Sequence, residues 1–217
     1  MKRELGQYFT TYNPFQNSGF LNWSKECDLS KTTILEPFAG SNNLINMLQD
    51  MGLCADFKSF DIEPKNKFVK RRDTLKNFPK GFKVCITNPP YLAQNSAKRR
   101  NLEFPNIIYD DLYKYSLEKC LENCDYVGAI IPASFFNANI FRERLSHYIL
   151  LNSKMFNDTE HPVCLALFKK YSIFLSSNSL ISIPLILISF SFISKLSKSL
   201  CNIETYIFSI SSSVIVP

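Results

Sequence analysis

The chain has 217 residues, of which 46% are hydrophobic and 20% charged, enough to build one sizeable α/β domain around its own core. Twenty-five Lys and Arg against 19 Asp and Glu leave a net charge of +6, which suits a polyanionic partner without singling one out. Seven cysteines without a C-x-x-C pair, and only two histidines, exclude an obvious zinc site; the thiols are expected to be reduced and buried.

The N-terminal Met-Lys-Arg-Glu-Leu-Gly-Gln lacks an apolar core, so no signal peptide is expected and the protein is expected to be cytoplasmic. Trp23 is expected to pack the N-terminal segment onto the core. A short β-rich run at 32–35 ends at Glu36-Pro37-Phe38-Ala39-Gly40-Ser41-Asn42. Helical spacing follows over 43–51, with Leu44, Met47, Leu48 and Met51 on one face and Gly52 as its stop. A second strand is expected over 55–60, ending at Asp61, and a third over 84–87, ending at Asn88-Pro89-Pro90. The basic run Lys70-Arg71-Arg72 between them reads as a solvated turn.

Residues 94–101 read as a basic mobile loop and 110–123 as a helix in which Cys120 and Cys124 share a buried face. An apolar strand follows over 126–131. A helix is expected to begin near 141. Strands over 149–156 and 163–169, joined by a polar turn, complete a hairpin. Strands alternating with helices predict an α/β fold: an open, mostly parallel sheet covered on both faces, with one antiparallel strand at its edge.

Composition changes after Tyr171. Serine and isoleucine make up half of residues 172–217, and no charge occurs between Lys170 and Lys195. Many serines and Pro184 argue against a membrane span there. The catalytic domain is therefore expected to be residues 1–171, with 172–217 an atypical tail rather than a true domain. A truncated or frame-shifted gene product is the expected origin of the tail.

Ligands of an open α/β sheet bind beyond the carboxyl ends of its strands, where this chain places its small, polar and proline residues. Gly40 permits close backbone approach, and Asp61 at a strand end can accept two ribose hydroxyls. In Asn88-Pro89-Pro90-Tyr91, the prolines remove donors, and the Asn88 carboxamide oxygen beside the Pro89 carbonyl makes a pair of acceptors suited to an amino group's two hydrogens. Tyr91 is expected to stand exposed and offer a flat face for a base.

The ordered set Gly6-Gln7-Tyr8-Phe9-Thr10, Glu36 to Ser41, Asp61-Ile62-Glu63-Pro64, Asp73 and Asn88 to Tyr91 resembles the amino-methyltransferases of bacterial restriction–modification systems. It is most similar to the adenine-N6 group whose catalytic domain precedes its recognition region, and the resemblance covers residues 2–169. It implies a Rossmann-like class I methyltransferase fold that uses S-adenosylmethionine to methylate adenine in double-stranded DNA. It also implies a partner endonuclease or a separate specificity subunit.

By this resemblance Tyr8, Phe9, Thr10, Glu36, Phe38, Gly40, Asp61, Ile62 and Asp73 hold the cofactor. Asn88, Pro89, Pro90 and Tyr91 form the catalytic loop, and Phe156 is the second aromatic against the target base. Lys98, Arg99 and Arg100 are expected to contact DNA phosphates. The family has a second glycine where Asn42 stands; asparagine tolerates left-handed backbone, so the turn is expected to survive. Two alternatives stay open. Asn-Pro-Pro-Tyr also occurs in enzymes that methylate protein glutamine or RNA bases, and the chain could be an inactive remnant or a subunit that binds cofactor or DNA.

Overall fold

The structure is a computed structural model that describes residues 10, 12–151 and 162–170. The tail at 172–217, the polar turn at 157–160, Tyr8, Phe9, Phe156, His161 and Cys201 lie outside the described residues.

Seven strands form one sheet: β1 (Ile34–Glu36), β2 (Phe57–Asp61), β3 (Val69–Arg71), β4 (Val84–Thr87), β5 (Tyr126–Pro132), β6 (Leu145–Leu151) and β7 (Val163–Lys169). Their order is β3-β2-β1-β4-β5-β7-β6. Strands β1 to β5 run parallel, and β7 pairs antiparallel with both β5 and β6. Chain order reverses between β1 and β4, which makes their carboxyl ends the expected ligand crevice.

The antiparallel strand is not at the edge, as the sequence reading had it, but inserted inside β6. Burial explains the exchange. Six of seven β7 residues are buried, which requires neighbours on both sides, whereas β6 is half-exposed and takes the edge.

Side-chain alternation divides the core between the two faces of the sheet. Ile34, Val84, Ile86, Ile130, Leu165 and Leu167 meet helices α1 (Ser18–Glu26) and α2 (Asn43–Asp50) on one face. Leu35, Cys85, Val127, Ala129, Ile131 and Phe168 meet α4 (Leu112–Asn123) on the other. Trp23 is fully buried and its indole N–H donates to the Phe168 carbonyl at 3.2 Å, as expected of an anchor for the N-terminal segment.

Six cysteines are buried and unpaired by disulfides, including Cys120 and Cys124. Burial pushes the Cys27 and Cys164 thiols up to about 12, which makes them inert packing groups.

Three further expectations are corrected, and one helix goes unannounced by the sequence. Helix α1 has no counterpart in the sequence reading, although Asn17 caps it by accepting from Phe20 N at 2.8 Å. Lys70-Arg71-Arg72 is not a turn: Lys70 and Arg71 extend along β3, paired with Phe60 and Asp61. Residues 94–99 are a short helix, α3 (Gln94–Arg99), rather than a loop, because Ala97 is buried with Leu92 and Leu112. No α-helix begins at 141. Phe141 has φ +55°, one 3-10 turn follows, and β6 starts at Leu145. Among the described residues no helix is long and apolar enough to cross a membrane.

Candidate active site

Three loops at the carboxyl end of the sheet are tied into one frame. After β1, Ala39 N donates to the Phe60 carbonyl at 2.9 Å, and Gly40 N donates to Asp61 Oδ2 at 2.8 Å. The other Asp61 oxygen accepts from Glu63 N at 2.7 Å. Thr74, in the loop after β3, donates its hydroxyl hydrogen to the Pro37 carbonyl at 2.9 Å. These bonds join β1, β2 and β3 before any ligand arrives.

The turn into α2 carries two left-handed residues, Gly40 at φ +50° and Asn42 at φ +66°. Asn42 thus adopts the backbone expected of it. Its buried carboxamide oxygen accepts from Ser59 Oγ at 2.6 Å, which anchors a conformation that a side chain ordinarily disfavours.

The frame encloses a cleft of about 850 Å³ including its open mouth. Glu36, Phe38, Gly40, Asp61, Ile62 and Asp73 line it, joined by Thr10 from the N-terminal segment and by Asn88 and Pro90 from the β4 loop. Ile62 is 47% exposed and Phe38 half-exposed, so two apolar surfaces face a cleft that three carboxylates also border. Asp73 accepts from Lys76 N at 3.2 Å, and its other oxygen lies 3.5 Å from the Lys76 ammonium.

Glu36 is 1% exposed. Its Oε1 accepts from the Thr87 hydroxyl at 2.8 Å, whereas its buried Oε2 has no hydrogen-bond partner. Burial pushes its carboxyl up to about 8. The Asp61 charge adds to the rise, while the Thr87 hydroxyl and the nearby Phe38 and Asn88 amides oppose it. A buried carboxylate oxygen without a donor is costly unless a ligand supplies one.

Asn88 sits at the exit of β4. Its Nδ2 donates to Thr10 Oγ1 at 3.3 Å, and its Oδ1 accepts from the Tyr91 hydroxyl at 2.7 Å. That hydroxyl is also 2.7 Å from the Ile130 carbonyl, although it carries one hydrogen and can satisfy only one acceptor at a time. The exposed tyrosine face expected from the sequence is not observed. Tyr91 is half-buried and meets Tyr113 edge-on at 6.2 Å, because its hydroxyl is drawn inward to β5. Pro89 is buried.

Lys98, Arg99 and Arg100 are exposed on and just after α3 and do not line the cleft. The sequence reading did not single out Asn43, Leu75 or Leu112, which do line it. Asn43 donates to the Thr10 carbonyl at 2.8 Å, and the repeated asparagine at the start of α2 was its visible signal. Leu112 is held there by the main-chain bond from its N–H to Leu92 O and by packing with Leu92 and Ala97, which no local pattern announces.

Solved structures with similar folds include methyltransferases. A proposed RNA methyltransferase from Pyrococcus horikoshii aligns with TM-score 0.53 and 15% identity, over 78% of this chain and 88% of that one. A proposed class I S-adenosylmethionine-dependent methyltransferase from Listeria monocytogenes gives TM-score 0.51 and 16% identity, over 72% and 60%. The methyltransferase subunit of a type I restriction–modification system from Streptococcus thermophilus gives 0.50 and 13%, over 78% and 47%. The chain thus spans 60% of the Listeria protein and about half of the Streptococcus subunit. These likenesses establish a class I methyltransferase fold. No curated protein matches the chain. The family model for the Eco57I restriction-modification methylase matches residues 21–174, most of the chain, and the protein therefore belongs to that family.

Proposed function

We propose that the protein transfers a methyl group from S-adenosylmethionine to the N6 amine of adenine in double-stranded DNA. The observation that carries this reading is one cleft bordered by Glu36, Asp61, Asp73 and the Asn88 carboxamide. The first three suit a cofactor with an ammonium group, a ribose and an adenine. The fourth suits an amine.

The residues fit the cofactor. Glu36 Oε2, buried without a donor, would take its ammonium group. Asp61, held by the Gly40 and Glu63 backbone N–H groups at the end of β2, would accept the ribose hydroxyls. Ile62 and Phe38 would hold the adenine ring, with Asp73 at its amino group. Gly40 lets backbone approach closely. Thr10, and Tyr8 and Phe9 before it, would close the methionine end. When bound, the cofactor supplies a methyl group made electrophilic by its sulfonium.

Asn88 would act on the target amine, whose lone pair is delocalised into the adenine ring. An acceptor at Oδ1 holds an amino hydrogen and favours a pyramidal nitrogen, so catalysis rests on positioning and oriented dipoles. For this, Asn88 Oδ1 must exchange the Tyr91 hydroxyl for the amine, and that hydroxyl already has the Ile130 carbonyl as its second acceptor. Pro89 and Pro90 stiffen the loop. The base would leave the duplex at a cost of a few kcal/mol, offset by stacking on Phe156 and on what the half-buried Tyr91 ring leaves open. Lys98, Arg99 and Arg100 would hold flanking phosphates. A cognate endonuclease or specificity subunit is the proposed protein partner, and residues 1–171 the proposed catalytic domain.

The test is transfer of labelled methyl to DNA, RNA and protein by the wild type and Asn88→Ala. Label on DNA adenine, lost by about a hundredfold or more in the variant, is the expected result. Label confined to RNA or protein, or none, overturns it.

A further inference from the structure

The charge of the chain is unevenly placed. Between Asp56 and Lys83 stand nine Lys and Arg against four Asp and Glu, so these 28 residues carry a net +5 of the +6 total. They form β2, β3 and the connection to β4, the end of the sheet opposite β6. Two of the four acids, Asp61 and Asp73, line the cleft.

No α-helix lies between β2 and β3 or between β3 and β4, and this end of the sheet keeps an open groove. Phe57, Phe60 and Phe68 line the groove together with Lys58 and Lys70. Phe68 is 61% exposed. The Lys67 ammonium stands 5.1 Å from the centre of the Phe68 ring, and the Arg72 guanidinium 5.3 Å from that of Phe60. Lys58, Lys67, Lys70 and Lys80 are exposed, and among the described residues none of them forms an ion pair.

We propose that this end of the sheet is a second nucleic-acid surface, where a DNA strand lays phosphates along Lys58, Lys67 and Lys70 and a base against Phe68. Charge complementarity selects a polyanion, and the aromatic rings among the cations select one that carries flat bases. A helix-free edge strand leaves room for an extended strand to lie along it. The surface begins at the cleft, since Arg71 Nε donates to the carbonyl of Ile62 at 3.2 Å and Ile62 lines the cleft wall. The proposal takes DNA as occupant from the methyltransferase reading but requires no methyl transfer.

The experiment measures binding of the full chain to single-stranded and duplex oligonucleotides by fluorescence anisotropy across a salt series. The variants are Lys58→Gln/Lys67→Gln/Lys70→Gln and Phe68→Ala, with poly-glutamate as a competing polyanion. The slope of log K against log salt should fall by about two to three for the triple variant. Phe68→Ala should weaken single-strand binding by about fivefold or more, with the slope nearly unchanged. Unchanged slope and affinity in both variants overturn the proposal, whatever methyl-transfer assays give. Competition by poly-glutamate equal to that by DNA also overturns it, pointing to an acidic protein partner. Failure of the wild type to bind any DNA would sink both readings.

Discussion

The Thr87 hydroxyl at the end of β4 donates to Glu36 Oε1 at the end of β1, 2.8 Å away, and leaves Glu36 Oε2 buried without a partner. The sheet is thereby fastened across its switch point by half of a carboxylate. A buried polar oxygen left without a partner costs stability.

A pH dependence follows from that pairing. Glu36 is raised from the ordinary carboxylate range to about 8 by burial, so the unliganded fold keeps a proton that the unfolded chain releases. Stability from this group is fully present below about 4.5 and is lost as pH rises toward 8, by at most about 1.4 kcal/mol per pH unit. Glu36→Gln should remove this dependence. At pH 8 the variant should melt higher than the wild type in the absence of ligand, and it should no longer bind S-adenosylmethionine. Thermal melts at pH 5.5 and 8 check this. Equal pH dependence in the two proteins would contradict it.

Asn42 permits a second test, of backbone rather than charge. It holds φ +66° while buried and accepts from Ser59. Asn42→Ala keeps a Cβ in the left-handed region and loses that bond, which should cost about 1–3 kcal/mol. Asn42→Gly loses the bond but relieves the backbone, so it should cost less. Urea unfolding of both variants gives the order, and alanine proving milder than glycine would refute the strain argument.

Much of this was legible in the residues themselves. Val84–Thr87 and Val163–Lys169 were readable from end to end, because short apolar runs closed by turn chemistry have few alternatives. The cleft residues Glu36, Asp61 and Asn88 were readable because each ends a strand. What stayed hidden depends on distant partners. Strand β3 is three residues with one buried side chain, and only its pairing with Ser59 to Asp61 makes it a strand. Tyr91 turns inward because Ile130, 39 residues later, offers a carbonyl.

Arg144 illustrates the same dependence and carries a prediction of its own. Half-buried, it donates to the carbonyls of Leu121, Cys124 and Asp125, and so closes the carboxyl end of α4 from the start of β6. A cation there also meets the favourable end of the helix dipole. Arg144→Ala should destabilise the protein by about 2–3 kcal/mol. Arg144→Lys should recover only part of this, since an ammonium cannot span three carbonyls as a planar fork does. Chemical denaturation measures both, and full recovery by lysine would show that charge alone matters.

Thr10 and Tyr91 hold Asn88 from opposite sides, at 3.3 Å and 2.7 Å, and their hydroxyls fix the way its carboxamide faces. Thr10→Val removes one of these supports while keeping the shape of the side chain, and Thr10→Ser keeps the hydroxyl. If orientation is what Thr10 provides, valine should lower kcat for methyl transfer by about tenfold with little change in KM for DNA, and serine should restore it. Tyr91→Phe removes the one hydrogen that Asn88 Oδ1 and the Ile130 carbonyl share, so it should lower both kcat and stability, the latter by about 1 kcal/mol. Steady-state kinetics on the four proteins, read beside their melting temperatures, separate the two residues. A valine variant with unchanged kcat would show that Asn88 is oriented by other contacts, and Thr10 would then be left with packing alone.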